Sequence, residues 1–351
     1  MRIGMIAETP LERLGAAVNA IPTPIFDTMF ACLNARALMV GVERGVFEAL
    51  EGAPRTAEAV ARICTLPETG AERLLNALVA SGYLTTRGRC YALAPRARRW
   101  LVESSPDNVR DMVLYNFDQW SLFEGIDQYV ATGQGVDFHA QLQPDGWGRY
   151  QAGMRAATKT WTEQTAKSLP APRNPRRLLD LGGSHGAFSA ALCRLYPTLT
   201  GTILELPEAI VAAAPLLARE GLGDRLAHKA GDALTDDLGE AQYDIVLMSQ
   251  LAHHFTDAQN RAVAARVGRA LRPGGVFAIL EQVAVDGVGE ARRADRRMGA
   301  ILDLYFGATS ESGTWTVSQM RGWLKAAGLR PRSTIWMRSI PGVAVVAGTK
   351  P

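Results

Sequence analysis

A glycine-rich stretch and two separate carboxylates occur in an order typical of a nucleoside-binding site. Asp180-Leu-Gly-Gly-Ser-His-Gly follows a short apolar run and precedes a helical pattern, so its glycines let a ligand approach the backbone and a helix N-terminus. Glu205 ends the next apolar run, where a carboxylate can bind vicinal ribose hydroxyls. Asp232 follows a later predicted strand and can accept a hydrogen bond from an adenine amino group. The spacing is not GxGxxG and no phosphate-binding lysine accompanies it, so we expect a nucleoside site without a pyrophosphate.

Two adjacent histidines, His253 and His254, follow the predicted strand at residues 243–249. Ligands of parallel sheets bind at the carboxyl edge of the strands, which is where this pair is expected. A neutral imidazole there can take the proton of a hydroxyl group, and a phenol, which titrates near ~10, needs such help at neutral pH.

The carboxyl-terminal half alternates predicted strands and helices, which indicates a parallel sheet with helices on both faces. The predicted strands are residues 177–181, 200–206, 243–249 and 276–285. A helix over residues 258–271 is expected to stop at Arg272-Pro-Gly-Gly. Residues 333–338 and 343–348 flank Pro341-Gly342 and predict a terminal antiparallel hairpin.

The first hundred residues predict a helical module with a hairpin. One long helix is expected over residues 24–50, then two short helices and a hairpin turning at Arg87-Gly88, which is the winged-helix pattern. Such a module binds DNA in some proteins and mediates dimerisation in others. The second short helix carries Arg73 against Glu68 and Glu72, which disfavours phosphate contacts and favours dimerisation.

Residues 108–169 are predicted to be mostly helical and carry many large side chains, among them Trp120 and Met154, with a loop over residues 133–148. A proline-rich basic linker follows at residues 170–177. We therefore predict three parts: a winged-helix dimerisation domain (1–105), a helical connector contributing to the substrate pocket (106–170) and a cofactor-binding domain (171–351).

The ordered motifs resemble one family. Asp180-Leu-Gly-Gly-Ser-His-Gly, Leu204-Glu-Leu-Pro, Gly231-Asp and Leu271-Arg-Pro-Gly-Gly are similar to the motifs of class I S-adenosylmethionine (SAM)-dependent methyltransferases. With the winged-helix front, the chain resembles small-molecule O-methyltransferases of the plant caffeate, acetylserotonin and bacterial antibiotic type over essentially its whole length. The resemblance implies a Rossmann-like α/β domain with a mostly parallel sheet and a terminal antiparallel hairpin, preceded by a mainly α-helical dimerisation domain. It also implies a homodimer joined through the N-terminal domains.

The resemblance implies roles for individual residues. It makes His253 the general base and Glu281 the first of two glutamates that flank it. The family's second glutamate aligns with Thr314, and Glu311 is the nearest carboxylate that could compensate. The residues expected to contact the cofactor SAM are Asp180, Gly182, Gly183, Gly186, Glu205, Leu206, Asp232, Ala233 and Ser249. Those expected to contact the substrate are His254, Tyr305, Phe306, Met154 and Trp120.

The predicted reaction is methyl transfer from SAM to a phenolic or enolic hydroxyl of a small aromatic secondary metabolite. Three alternatives stay open: C-methylation of an activated or α-keto-acid carbon, a non-methylating reaction on the same fold, and a winged-helix DNA-binding regulator. Among the histidines no spaced set of two imidazoles and one carboxylate is evident, so no metal is expected.

Composition bounds the setting of the protein. The 351 residues carry a net charge of +3 and are 47% hydrophobic, which is ordinary for a globular chain and provides no strong field for nucleic acid or a membrane. Four cysteines lie far apart without CxxC spacing, and no signal peptide is evident near the N-terminus. The most apolar early stretch, residues 24–40, is interrupted by charge and is taken as too short and too polar for a bilayer. We expect a cytoplasmic protein.

Overall fold

The computed structural model describes residues 6–287, 297–310 and 312–351, except for the side chains of residues 144 and 145. The chain divides into two compact units, one ending at Gln119 and the other running from Trp120 to Pro351. The predicted boundaries at 105/106 and 170/171 do not coincide with this division. Side chains of the connector explain the second difference, since Trp161, Ala166 and Leu169 are buried in the same apolar cluster as the sheet.

The first unit is helical with one hairpin. Its elements are α1 (Pro10–Ala17), α2 (Thr23–Ile25), a π-helical turn (Phe26–Phe30), α3 (Ala31–Glu43), α4 (Val46–Ala49), α5 (Ala57–Ile63), α6 (Glu68–Ala80), β1 (Leu84–Arg87), β2 (Cys90–Leu93), α7 (Pro95–Trp100) and α8 (Arg110–Asp118). The prediction of one helix over residues 24–50 is wrong, because Gly45 adopts a left-handed conformation (φ 70°) and separates α3 from α4. The helix–helix–hairpin pattern is present: Thr56 caps α5, and β1 pairs antiparallel with β2.

The helical run Thr23–Glu43 has 21 residues and a mean hydropathy of 1.4. By length and composition alone it could cross a membrane. The helical run is longer than the predicted apolar stretch at residues 24–40, so the expectation that it is too short and too polar for a bilayer does not hold by this measure. Its apolar window is 17% buried. The exposed apolar side chains of this run are Ile25, Met29, Phe30 and Leu33.

The second unit is a sheet with helices around it. Its elements are α9 (Trp120–Phe123), α10 (Ile126–Thr132), α11 (Phe138–Gln141), α12 (Pro144–Thr158), α13 (Thr162–Ser168), β3 (Arg177–Leu181), α14 (Ala187–Leu195), β4 (Thr200–Glu205), α15 (Pro207–Ala218), β5 (Leu226–Ala230), β6 (Tyr243–Ser249), α16 (Asp257–Ala270), β7 (Leu271–Gln282), α17 (Arg297–Thr309), α18 (Val317–Ala326), β8 (Arg330–Pro331), β9 (Ile335–Trp336) and β10 (Val343–Thr349). Short 3-10 turns cover Gly223–Arg225 and Ala252–His254.

The main sheet has the strand order β5-β4-β3-β6-β7-β10-β8, with β9 also paired to β10. The pairs among β3 to β7 are parallel, whereas β10 runs antiparallel to its neighbours. Two large apolar clusters contain residues from successive strands of this sheet, as expected for parallel strands covered on both faces. The predicted mostly parallel sheet with a terminal antiparallel hairpin is confirmed.

Two local predictions differ from the structure. The predicted loop over residues 133–148 contains α11 and the start of α12. The helix before Arg272 does end at Ala270, but the strand begins at once with Leu271, because Arg272-Pro-Gly-Gly lies within β7. Gly274 adopts φ 79° there, and its N–H donates to the carbonyl of Lys350.

The strand order fixes where a ligand site is expected. The chain moves outward from β3 to β4 and β5, then returns to β6 on the other side of β3. The connections therefore diverge between β3 and β6, and a crevice opens at the carboxyl ends of these strands. The glycine-rich stretch follows β3, and the two histidines follow β6.

Candidate active site

The glycine-rich loop after β3 leaves its backbone bare toward the sheet edge. Gly182 has φ 59°, and a Cβ atom added there would lie 2.9 Å from the side chain of Leu251. A Cβ atom on Gly183 would lie 2.4 Å from the carboxyl group of Asp180. Any larger residue would fill the space or displace the loop. Gly186 then occupies the position that precedes α14.

Glu205 fixes this loop from the end of β4. Its Oε2 accepts a hydrogen bond from the Ser184 N–H at 2.8 Å, and its Oε1 accepts one from the Leu206 N–H at 2.9 Å. The side chain is largely buried, and this burial raises its pKa above the ordinary range for a glutamic acid. Each oxygen keeps a second lone-pair direction, which suits two hydroxyl donors on one ligand.

Asp232 is held in a similar way after β5. Its Oδ1 accepts from the Leu234 N–H at 2.7 Å and its Oδ2 accepts from the Thr235 hydroxyl at 3.2 Å. The preceding Gly231 admits no side chain, since a Cβ atom there would lie 2.2 Å from the carboxylate of Asp236. The turn therefore presents an oriented carboxylate beside a bare backbone.

These groups line one cavity of 320 Å³ at the carboxyl edge of the sheet. The lining includes the residues at and near the predicted nucleoside site: Gly182, Ser184, Leu204, Glu205, Leu206, Gly231, Asp232, Ala233, Leu234, Gln250 and Leu251. Two buried polar atoms at the end of β6, Ser249 Oγ and Gln250 Nε2, have no hydrogen-bond partner among the described residues. Unpaired buried polar atoms are costly, and Gln250 lines the cavity, so a polar ligand there would satisfy its Nε2. These features fit the predicted cofactor SAM, which carries a nucleoside and an amino-acid end.

Four of the predicted cofactor residues lie behind the lining rather than in it: Asp180, Gly183, Gly186 and Ser249. Asp180 is buried, and its Oδ2 accepts a hydrogen bond from the Ser189 hydroxyl at 2.5 Å. Burial raises the pKa of Asp180 to about 7. Asp180 therefore supports the loop from beneath.

The raised pKa of Asp180 predicts a pH-dependent stability. An unfolded aspartic acid titrates at its ordinary value of 3.8, whereas the folded one holds its proton to about pH 7. Between these values the folded state binds more protons, so the free energy of unfolding falls as the pH rises from about 4 to about 7 and is level above. Urea unfolding at several pH values is expected to show this fall for the wild type relative to Asp180→Asn. Ser189→Ala removes a hydrogen bond that lowers the pKa, so the fall should continue to higher pH. A wild-type-minus-variant difference independent of pH would contradict the prediction.

His253 lies in the 3-10 turn after β6, with a fixed ring. Its Nδ1 lies 2.9 Å from Oε1 of Glu281, and both side chains are buried. The same oxygen of Glu281 accepts the Gln282 N–H at 2.9 Å. The Phe306 ring stacks on the imidazole, with centroids 3.9 Å apart. Because Nδ1 faces a carboxylate, the opposite nitrogen, Nε2, is the one available to accept a proton.

The second histidine of the pair lines the cavity, whereas His253 does not. The ring of His254 lies 4.2 Å from that of His253 and 4.5 Å from that of His139 on α11. Burial lowers the pKa of His139 to about 4 and also holds the pKa of His254 well below its ordinary range. Both rings are therefore uncharged at neutral pH.

Aromatic side chains form another part of the cavity lining. Trp147 stacks near His139 with centroids 5.7 Å apart, and Tyr150 meets the same imidazole edge-on at 5.1 Å. The remaining lining residues are Asp137, Gln151, Phe255, Gln259 and Ser310, of which Gln151 accepts a hydrogen bond from the Ser184 hydroxyl. Sequence reasoning did not assign His139, Gln151 or Gln250 to the site. The density of large side chains over residues 108–169 was the available signal, and it does not indicate which of them face a ligand.

Four predicted substrate residues do not line this cavity in the described part of the chain: Trp120, Met154, Tyr305 and Phe306. Phe306 contacts His253 as described, and Tyr305 meets Phe123 edge-on with centroids 6.0 Å apart. Phe123 in turn meets Trp120 at 6.3 Å. Trp120, Phe123, Tyr305 and Phe306 form an aromatic group next to His253. Contact of the four predicted residues with a substrate stays a prediction.

No group of three or more His, Cys, Asp or Glu side chains within the described residues is placed to hold a metal ion. Glu311, the carboxylate that could compensate for Thr314, lies outside the described residues.

The fold and the nucleoside cavity together define a class I methyltransferase. Residues 123–330 match the O-methyltransferase domain, and residues 26–103 match the O-methyltransferase dimerisation domain. The first match alone spans more than half of the chain. The chain belongs to the O-methyltransferase family.

Individual relatives agree with this membership. The chain is 28% identical to 3-hydroxy-5-methyl-1-naphthoate 3-O-methyltransferase of Streptomyces sahachiroi over 349 residues, covering 94% of this chain and 95% of the relative. It is 30% identical to acetylserotonin O-methyltransferase of Mus musculus over 284 residues, covering 74% and 72%. The structure of human N-acetylserotonin methyltransferase in complex with SAM superposes with a TM-score of 0.78 at 18% identity, covering 99% of both chains.

The comparisons confirm the sequence-based predictions of the family, the enzyme class and the cofactor SAM. They also identify residues 26–103, which contain the winged-helix pattern, as a dimerisation domain, and this supports a homodimer. The matched residues include most of the exposed apolar run Thr23–Glu43.

Proposed function

We propose that this enzyme transfers a methyl group from SAM to a hydroxyl of a small aromatic secondary metabolite, with His253 as general base. The observation that carries the proposal is the buried pair of His253 Nδ1 and Glu281 Oε1, 2.9 Å apart, at the sheet edge that holds the nucleoside cavity. Glu281 orients the ring and stabilises the imidazolium that forms when Nε2 takes the proton.

Each protein group has a separate task in this reaction. SAM, when bound, supplies the methyl group from its sulfonium sulfur. Glu205 and Asp232 hold the ribose and adenine parts, and the bare glycine loop accommodates the rest of the cofactor. Phe306 keeps the His253 ring in plane. His253 removes the hydroxyl proton, so the oxygen attacks as an anion. Alignment of the two reactants supplies a further part of the rate.

The aromatic part of the cavity lining supports an aromatic acceptor. Trp147, Tyr150 and Phe255 offer ring faces, and the uncharged imidazoles of His139 and His254 are polar without attracting either sign of charge strongly. The two relatives named above act, by their names, on a hydroxylated naphthoate and on acetylserotonin, which are planar aromatic compounds. We assign His254 and His139 to acceptor binding. A cytoplasmic location stays a prediction.

Calorimetric titration with SAM and, separately, with S-adenosylhomocysteine tests the cofactor site first. Both are expected to bind one per chain with micromolar affinity, the product at least as tightly as SAM, because the contacts to the nucleoside are shared. Transfer of labelled methyl from SAM to a panel of naphthols and hydroxyindoles then tests the acceptor class. If neither cofactor species bound, the proposal would fail. Labelling of keto acids that a chelator abolishes would favour C-methylation instead.

A further inference from the structure

One carboxylate near the histidine has no role in the proposed function. Asp303 lies on α17, and its Oδ1 accepts hydrogen bonds from both the backbone N–H of Thr314, at 3.0 Å, and the Thr314 hydroxyl. Thr314 is the residue that stands where the resemblance implies a second glutamate. A carboxylate carried by another element is therefore hydrogen-bonded to position 314.

The segment bonded to Asp303 also forms hydrogen bonds with the backbone of the turn Ala252–His254. The Gly313 N–H donates to the carbonyl of His253 at 3.2 Å, and the Ser310 hydroxyl lies 2.9 Å from the same oxygen and 2.6 Å from the carbonyl of Phe306. The Trp315 indole donates to the carbonyl of Ala252 at 2.8 Å. Residues on both sides of Thr314 thus fix the peptide units from which the imidazole projects.

Helix α17 also contacts His253, through the side chain of Phe306. Phe306 follows Asp303 by three residues, so the two side chains lie on the same side of the helix. Phe306 stacks on the His253 ring, and a Cβ atom added to Gly313 would lie 3.7 Å from Oδ1 of Asp303 and 3.8 Å from Cα of Gly307. Asp303 therefore connects the helix that covers the ring to the segment that holds its backbone.

We propose that Asp303 is a positioning residue of the active site, which does through Thr314 what a glutamate at position 314 is implied to do in the family. It anchors residues 313–315 against the turn Ala252–His254 and so sets the direction of His253 Nε2. This inference rests on the proposed function, in which His253 is the general base.

Steady-state kinetics of Asp303→Ala test the inference. We expect kcat to fall roughly 30- to 100-fold, because the catalytic geometry is loosened, a cost of order 10²-fold for a misplaced group. The KM for the acceptor and the Kd for S-adenosylhomocysteine should stay within about threefold, since Asp303 does not line the cavity. Asp303→Asn, which keeps an acceptor oxygen and removes the charge, should lose less. Ile301→Ala, at an exposed position of the same helix, is the matched control and should keep wild-type kcat.

A relocated carboxylate supplies the decisive variant. Thr314→Glu in the Asp303→Ala background returns the acid to the position implied by the family and should recover at least tenfold in kcat. An Asp303→Ala enzyme with wild-type kcat would overturn the inference. A second pattern would also overturn it: Thr314→Glu does not recover kcat, and Asp303→Asn shows the full loss of kcat together with weakened cofactor binding. That pattern describes a merely structural residue. If His253→Gln were active, the proposed function would fail instead, whatever Asp303 does.

Discussion

Replacing His253 with glutamine is expected to lower kcat by roughly 10²- to 10⁴-fold, the usual contribution of a general base. Glutamine can still donate a hydrogen bond to Glu281, so the buried carboxylate keeps a partner and the fold is spared. What disappears is the basic nitrogen at Nε2. The Kd for S-adenosylhomocysteine should not change by more than about twofold, because His253 does not line the cofactor cavity. Single-turnover methyl transfer and calorimetry on the same preparation measure both quantities.

The adjacent imidazole is the natural control for this experiment. His254→Gln changes a residue that lines the cavity and lies 4.2 Å away by ring centroids. We expect a higher KM for the acceptor, by about tenfold, with kcat reduced much less than in His253→Gln. If the two variants exchanged these behaviours, His254 would be the base. If both variants were fully active, base catalysis by this pair of histidines would be excluded.

Sequence reasoning places together the motifs that each occupy one short stretch at the end of a strand. The loop after β3, Glu205 at the end of β4 and Asp232 after β5 each follow a strand. Parallel strands bring their carboxyl ends to one edge, so the order along the chain predicts the juxtaposition in space. His253 and Glu281 obey the same rule, since they come from neighbouring strands β6 and β7.

The parts that sequence reasoning missed come from elements whose placement depends on packing. His139 and Gln151 lie on helices α11 and α12, and α11 falls within a stretch that was predicted to be a loop. Helical periodicity indicates which residues share a face, but it does not indicate where that face docks. The partnership of Asp303 with Thr314 joins a helix to a connecting segment, and neither residue belongs to a local motif.

Helix boundaries show the same limit on a smaller scale. The predicted helix over residues 24–50 required Gly45 to stay helical, and the structure places it at φ 70°. Glycine permits either conformation at little cost, so the packing of α3 and α4 decides between them. In β7, the Arg272-Pro-Gly-Gly stretch resembles a turn. Leu271 just before it pairs with Tyr243, and Val276 just after it pairs with Ile245, so the stretch lies between two paired positions of the sheet.

Substituting Glu205 with alanine is expected to weaken S-adenosylhomocysteine binding by roughly 100-fold. The carboxylate accepts the N–H groups of Ser184 and Leu206, so its removal leaves two backbone donors without their partner and loosens the glycine loop. It also removes the proposed acceptor for the ribose hydroxyls. Hydrogen bonds to a charged group contribute about 1.5–3 kcal/mol each, and about 1.4 kcal/mol corresponds to tenfold in Kd, so the loss of one or two such bonds gives this range.

Kinetics separate this effect from the effect at His253. The proposed contact of Glu205 with the ribose would be the same in the ground state and the transition state, so Glu205→Ala should raise the KM for SAM and leave kcat at saturating SAM within about threefold. Glu205→Gln keeps one acceptor oxygen and should fall between. Glu208→Ala, three residues on at an exposed position of α15, changes the same net charge and should bind as the wild type does. Equal weakening by Glu208→Ala would attribute the effect to long-range charge, whereas weakening confined to position 205 would attribute it to the local contacts of Glu205 with the glycine loop and the cofactor.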